Sequence, residues 1–210
     1  MRFLPLLLAL ACSHTSLRAS IDDLPPRREG AQSSNVIEFR SPVDDDSVPE
    51  FITKLNDHIR AGDKKIVVEL NTPGGSVGYG FDMGHAIERS PVPVICVVDG
   101  MAASMGLYIL QSCDVRVMTV RSLLMGHAPS GGTQGQEGDL LRLAQVLRAL
   151  SVAMANHITH KTAMTSHEYL EKIANGQELW LTAEQALTWR FVDYTVSSVH
   201  EVTAIVDGSR

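Results

Sequence analysis

Residues 93–98 form a short apolar run, PVICVV, in which hydrophobic side chains do not alternate with polar ones. A strand of that composition is buried on both faces, as central strands are in a parallel sheet covered by helices. The run leads into residues 99–106, DGMAASMG, whose small residues and glycines suit a tight turn into a helix. This strand–turn–helix segment predicts an α/β fold with a mainly parallel sheet.

The rest of the chain repeats the same alternation of strand-like and helix-like segments. Strands are predicted at 36–39, 65–70, 115–120, 123–125 and 192–196, and a long helix runs from about 137 to 160. Three Ser/Thr residues precede Glu or Gln at capping-box spacing, namely Ser47 with Glu50, Thr165 with Glu168, and Thr182 with Gln185. Repeated β–α units predict one α/β domain rather than several.

Ser104 lies at the turn between the apolar strand and its helix, and His127 ends the apolar segment about twenty residues later. A serine on a sharp strand-to-helix turn presents its hydroxyl above the sheet. Serine is a weak nucleophile without an adjacent base, and a histidine supplies one. The pair therefore favours nucleophilic catalysis, with Ser104 as an ordinary helix N-cap as the alternative.

Two backbone amides are candidates for stabilising an oxyanion beside this serine. The turn at 73–76, PGGS, allows positive φ and close backbone approach, so that the N–H of Gly75 can face a bound carbonyl. The N–H of Met105 follows the serine directly and would form the second donor. The alternative for the glycine pair is a flexible turn at the start of a helix.

The amino terminus has the pattern of a targeting segment. Arg2 precedes an apolar run at 3–11, and Cys12 follows a small-residue site, which predicts a signal peptide over 1–12 with possible lipid attachment at Cys12. Residues 13–34 have linker composition, so the folded domain is expected at 35–210. The alternative is that the apolar run is a strand or helix of the fold.

The composition argues against a nucleic-acid ligand and against a metal site. Net charge is −6 and no basic stripe is present, so nucleic acid is not an expected ligand. Cys96 and Cys113 are expected as two separate buried thiols, although an exported protein permits a disulfide between them. His157 and His160 are three residues apart, but spacing fixes no third ligand and no metal site is predicted.

Several blocks of the chain, in order, resemble the signature blocks of the Clp protease proteolytic subunit family. They are residues 69–77, ELNTPGGSV; 99–106, DGMAASMG; 125–129, MGHAP; and 131–136, GGTQGQ. The resemblance extends from about residue 36 to 196 and implies a crotonase-like fold with a Ser-His-Asp triad and a long handle helix. It implies Ser104 as nucleophile, His127 as general base, and Gly75 and Met105 as oxyanion donors.

The resemblance also implies how substrate and subunits would bind. The segment formed by Gly131, Gly132, Thr133 and Gln134 corresponds to the part that binds substrate backbone, and it leads into the handle helix that joins stacked rings. No cofactor is implied. The triad's aspartate position is occupied here by Glu178, whose longer side chain displaces the carboxylate by about one bond length. The alternative for Glu178 is a solvated loop carboxylate.

The resulting expectation is a homo-oligomeric serine endopeptidase that acts on peptides or unfolded proteins. Export predicts a periplasmic or secreted location and action without the ATPase partner typical of the family, while a cytoplasmic location is the alternative. The departure at Glu178 leaves open a catalytically inactive relative that serves in assembly or binding. A crotonase-fold enzyme acting on acyl thioesters is the third alternative, although that chemistry does not require both Ser104 and His127.

Overall fold

The computed structural model describes residues 35–206 of the chain, with side chains through Val202. The predicted signal peptide and the whole of the predicted linker lie outside the described residues. Within those residues, no helix combines the length and the hydropathy needed to cross a membrane.

The described residues form seven strands and seven α-helices, which alternate except that β5 directly follows β4 and α5 directly follows α4. The strands are β1 Val36–Phe39, β2 Ile66–Thr72, β3 Val94–Ala103, β4 Val115–Thr119, β5 Leu123–His127, β6 Glu178–Thr182 and β7 Tyr194–Val196. The helices are α1 Ser47–Ala61, α2 Val77–Glu88, α3 Met105–Ser112, α4 Glu137–Thr159, α5 Ser166–Lys172, α6 Ala183–Thr188 and α7 Val199–Val206. The predicted α/β class and the long helix are confirmed.

A parallel sheet in the order β1-β2-β3-β4-β7 forms the centre of the fold. The amino-terminal half of β3 pairs with β4, and its carboxyl end pairs in parallel with β5. β6 then pairs antiparallel with β5, so a two-stranded ribbon extends from the end of the sheet. This divergence at the carboxyl end of β3 opens space where a ligand can bind, as switch points in parallel sheets do.

The apolar run at 94–98 is buried on both faces, as its composition predicted. Ile95 and Val97 belong to a small core cluster with Val202 of α7, whereas Cys96 and Val98 belong to the main core with the helices on the other face. All four side chains in the strand are fully buried. Strand β3 is therefore rigidly held, and so is the turn at its end.

The cysteines differ from the prediction of two separate thiols, because Cys96 and Cys113 form a disulfide with a Cα–Cα distance of 5.9 Å. Cys96 lies in β3 and Cys113 directly follows α3, so the bond joins the strand before Ser104 to the helix after it. Spacing along the chain could not reveal this, since only the return of α3 over the sheet brings the two Cα atoms within bridging distance.

Two of the three predicted capping boxes are present. Thr165 with Glu168 opens α5, and Thr182 with Gln185 opens α6. At α1 the prediction was wrong, because the Ser47 hydroxyl donates to the Pro42 carbonyl and the Ser47 N–H is bound by the Asp44 carboxylate. The same Asp44 hydrogen bonds lower the pKa of that carboxyl group.

Candidate active site

Ser104 lies on a strained turn between β3 and α3. Its φ and ψ are 54° and −116°, a conformation that non-glycine residues seldom adopt. Such strain persists only where surrounding structure enforces it, and the Ser104 N–H donates to the Met125 carbonyl of β5 at 2.8 Å. The turn therefore has the geometry of a nucleophile elbow, with the hydroxyl directed away from the sheet.

His127 ends β5, the strand hydrogen-bonded to the residues just before Ser104. Its Nε2 lies 2.7 Å from Ser104 Oγ, within hydrogen-bond distance for proton transfer. The preceding Gly126 fits against Tyr169 of α5, since a Cβ at position 126 would lie 2.3 Å from the tyrosine hydroxyl. The structure thus brings together the serine and histidine that the sequence singled out, and their catalytic role stays a prediction.

The glycine turn after β2 packs directly against the serine turn. Gly74 has φ +86°, and a Cβ there would lie 2.7 Å from Ser104 Cβ and 2.8 Å from Met105 N. Gly75 is fixed from the other side, because Val43 forms a parallel bridge with it and receives a hydrogen bond from Ser76 N–H. A larger residue at Gly74 would push the two turns apart, and one at Gly75 would clash with the Val43 backbone.

The N–H groups of Gly75 and Met105 have no hydrogen-bond acceptor among residues 35–206. Met105 is fully buried, so its unpaired amide has a free-energy cost unless a ligand or water satisfies it, whereas Gly75 is exposed and its amide can be met by solvent. Met105 N–H also belongs to the amino terminus of α3, where the helix dipole favours negative charge. Both amides are therefore without an acceptor in the described residues, and their role as oxyanion donors stays a prediction.

A cleft of about 300 Å³ lies over the serine–histidine pair. Ser104, His127 and Gly75 line it together with apolar side chains that include Met125 and Met154. Met154 is on α4, so the long helix forms one wall of the cleft. An apolar cleft with few polar groups at one end is the usual form of a site that orients a substrate carbonyl.

Glu178 begins strand β6, so the alternative of a loop position for it is wrong. Its Cα pairs with that of His127 across the β5–β6 ribbon. However, its Oε2 accepts a hydrogen bond from Trp180 Nε1 at 2.8 Å, and within the described residues no carboxylate contacts the His127 ring. The predicted third member is adjacent to the histidine without being bonded to it.

Residues 131–134 follow the histidine as an exposed segment without regular structure and lead into α4. Pro129 and Ser130, just before them, line the cleft, whereas Gly131 lies near Leu143 and Leu147 of α4. The structure therefore places this segment at the rim of the cleft and leaves its predicted substrate-binding role untested.

The remaining histidines of interest have structural partners. His157 stacks on Tyr108 with ring centroids 4.0 Å apart, and its Nε2 lies 3.1 Å from the Tyr108 carbonyl oxygen. Burial lowers the pKa of the His157 imidazole, although the hydrogen bond to Tyr108 and the nearby Glu88 act in the opposite direction. Among residues 35–206, no group of three or more potential ligands is placed to hold a metal ion.

Two residues that support the serine turn were not identified from sequence. The Asn71 side chain accepts a hydrogen bond from Met101 N–H at 3.1 Å, and the Ser122 hydroxyl accepts one from Gly100 N–H at 2.9 Å. Ser122 also donates to the Val98 carbonyl. Asn71 and Ser122 together hold the irregular end of β3 in place. Asn71 lies within one of the signature-like blocks, which was the available signal for it.

A serine and a histidine in hydrogen-bond contact, beside two unpaired amides at the end of a parallel sheet, are the arrangement of an α/β serine hydrolase. The sequence profile described as Clp protease matches residues 29–199 of this chain. The chain therefore belongs to the Clp protease family, a family of serine-type peptidases.

Individual relatives agree with this assignment. The ATP-dependent Clp protease proteolytic subunit 1 of Chlamydia muridarum is 33% identical over 175 residues, which cover 80% of this chain and 90% of the relative. The protein of the same name from Leifsonia xyli subsp. xyli is 29% identical over 163 residues, covering 76% of this chain and 81% of the relative. The similarity thus spans nearly the whole described domain.

Proposed function

We propose that this protein is a serine endopeptidase in which Ser104 is the nucleophile and His127 the general base. The observation that carries the proposal is the 2.7 Å contact between Ser104 Oγ and His127 Nε2 on a strained turn. Strain of this kind has a stability cost and is concentrated at functional sites. A serine that served only as a helix cap would need neither the strain nor the histidine.

The geometry supports an acyl-enzyme mechanism. Ser104 Oγ attacks the peptide carbonyl while its proton passes to His127 Nε2, and the oxyanion is bound by the N–H groups of Gly75 and Met105. The imidazolium then gives the proton to the leaving amine as the C–N bond breaks. Water, deprotonated by the same imidazole, attacks the ester, and the proton returns to Ser104 Oγ as the acyl group leaves.

Extended peptides or unfolded chains are the proposed substrates. The backbone N–H and C=O groups of residues 131–134 have no hydrogen-bond partner within the described part of the chain. An exposed segment whose backbone groups are unpaired can bind the backbone of a peptide strand beside it, which orients a substrate of any sequence. We therefore assign Gly131, Gly132, Thr133 and Gln134 to substrate backbone binding.

Assembly into a homo-oligomer, such as a ring or stacked rings, is the proposed quaternary state. Helix α4 is buried against the domain only near its carboxyl end, at Met154, Ala155, Ile158 and Thr159. Toward its amino terminus the helix exposes large apolar side chains, which include Leu140, Leu141 and Val146. Several large apolar side chains exposed on one helix are candidates for burial in subunit contacts.

We further propose that the protein acts outside the cytoplasm, periplasmic or secreted, with a lipid anchor at Cys12 as its one route to a membrane. Two observations support export: the leader-like pattern at residues 1–12 and the Cys96–Cys113 disulfide, a bond that persists in oxidising compartments. The relatives named above are ATP-dependent. Because ATP is scarce outside the cytoplasm, this protein is proposed to work without an ATPase partner.

A catalytically inactive assembly protein is the second candidate. The observation that favours it is the Glu178 carboxylate, which is bonded to Trp180 rather than to His127. Without an orienting acceptor the imidazole is free to take the wrong tautomer or rotate. Such a protein would keep the fold and the oligomer while the serine stays unreactive.

Labelling with a fluorophosphonate probe separates the two candidates. The peptidase predicts covalent modification of the wild-type protein at one residue, located to Ser104 by peptide mass, and no modification of Ser104→Ala. The variant removes only one hydroxyl from a half-buried site, so it is expected to assemble like wild type. An assembled wild-type protein that stays unmodified would establish the inactive candidate instead.

Export predicts a specific mature amino terminus. Intact-mass measurement of protein purified from its native cells is expected to show a chain beginning at Cys12 or Ser13, with the mass of attached lipid in the first case. Retention of Met1 or Arg2 in the mature protein, together with recovery from the cytosolic fraction, would contradict the proposed location.

A further inference from the structure

The Glu178 carboxylate has a neighbour to which the sequence assigned no role, the indole of Trp180. Residues 178 and 180 of one strand point to the same face, and so do residues directly opposite them on the partner strand. Glu178 is opposite His127, and Trp180 is opposite Met125. The imidazole, the carboxylate and the indole therefore share one face of the β5–β6 ribbon.

The hydrogen bonds on this face leave one donor and one acceptor free. His127 uses Nε2 toward Ser104, which leaves Nδ1 for an orienting acceptor. Glu178 uses Oε2 toward Trp180, and its Oε1 has no hydrogen-bond partner within the described residues. A carboxylate can accept from two donors at once, so binding to the indole does not prevent Oε1 from receiving Nδ1–H.

A glutamate side chain is harder to hold in one position than an aspartate side chain, and the indole of Trp180 helps to hold it. Glu178 is exposed, and its side chain has one more rotatable bond than aspartate, so fixing it beside His127 has a larger entropic cost. The Trp180 hydrogen bond already restricts that side chain on the correct face. The imidazolium formed during catalysis then has a partly ordered carboxylate on the same face of the ribbon.

We propose that Trp180 is a positioning residue that holds the Glu178 carboxylate on the face of His127, so that Oε1 accepts a hydrogen bond from Nδ1–H when the imidazolium forms. This inference rests on the proposed peptidase function. Trp180 touches neither the cleft nor the reacting atoms, and it acts through Glu178 alone.

The substitution Trp180→Phe tests this, because it keeps an aromatic ring and removes only the N–H donor. The maximal rate of fluorophosphonate labelling is expected to fall by about tenfold, the effect of freeing one long side chain. The probe concentration that gives half-maximal rate should not change, since Trp180 does not line the cleft. Trp189→Phe, at the chain's other tryptophan, is the matched control and should label like wild type.

A double-mutant cycle with Glu178→Ala distinguishes positioning from packing. If Trp180 acts through Glu178, Trp180→Phe has no further effect once the carboxylate is absent. An equal loss in both backgrounds would overturn the proposal, and so would a rate for Trp180→Phe at or above wild type, which would mean that the indole competes with His127. Failure of the proposed peptidase function gives a different result from failure of the Trp180 proposal, because wild type and Trp189→Phe would then both stay unlabelled.

Discussion

Replacing His127 by alanine is expected to slow fluorophosphonate labelling of Ser104 by roughly four orders of magnitude. The Ser104 hydroxyl is almost fully protonated near neutral pH, and His127 Nε2 is the base that the structure places 2.7 Å from it. Without that acceptor the proton must pass to water while the oxygen attacks. The measurement is the second-order rate constant of labelling at fixed pH, compared with wild type.

His167→Ala is the matched control, because it makes the same substitution at a histidine whose side chain is 83% exposed and whose contact is an ion pair with Glu171. It should label at the wild-type rate. Catalytic residues that act as a unit show non-additive losses, so adding Glu178→Ala to His127→Ala should cause little further decrease. A His127→Ala protein that labels within about tenfold of wild type would remove the histidine from the mechanism.

The serine–histidine pair was accessible from sequence because each residue is fixed by its local surroundings. Ser104 directly follows a strand that is buried on both faces, and His127 ends β5, a strand parallel to it. Parallel strands have their carboxyl ends at one edge of the sheet. A correct prediction of the order of strands and helices therefore places both residues at that edge. The glycine turn follows a third strand at the same edge, which explains why Gly75 lies with them.

Contacts that depend on how elements pair in the fold could not be predicted in the same way. The Cys96–Cys113 bond depends on how α3 returns over the sheet, and the hydrogen bond from Trp180 to Glu178 depends on residue 178 being in a strand. Residues 178–182 carry the sequence ELWLT, whose alternation is short enough to fit a loop or a strand. Pairing with β5 decides between them, and that pairing is a tertiary event.

The Arg116–Asp193 ion pair is a further contact that sequence could not show, since its members are 77 residues apart. Asp193 receives hydrogen bonds from the backbone N–H, Nε and one terminal nitrogen of Arg116, and the other terminal nitrogen donates to Gln111 Oε1. Gln111 in turn donates to the Phe191 carbonyl. The network joins the end of α3, the start of β4 and the segment before β7, at the end of the sheet where Arg116 pairs with Cys96.

Asp193→Ala is expected to lower the free energy of unfolding by about 3 kcal/mol, because it leaves the guanidinium uncompensated in a buried position. The Arg116 side chain is only 4% exposed, but the Asp193 side chain is 35% exposed. Because one partner is partly solvated, the expected loss of stability is near the lower end of the range for breaking a buried ion pair. A decrease in Tm of roughly 6–12 °C follows for a domain of this size. Melting at one fixed protomer concentration measures it, since assembly also contributes to Tm.

Asp57→Ala is the matched control, as its ion pair with Arg60 is exposed on α1 with side chains 63% and 73% accessible. Exposed pairs contribute little, so this variant should stay within about 0.5 kcal/mol of wild type. Removing both partners, as in Arg116→Met with Asp193→Ala, should restore much of the lost stability because no charge is then buried alone. Equal Tm values for Asp193→Ala and Asp57→Ala would show that the buried pair is not needed to hold these segments together.

Asp193→Ala should also label at the wild-type rate below its Tm, because the carboxylate next to His127 in the sheet register is that of Glu178.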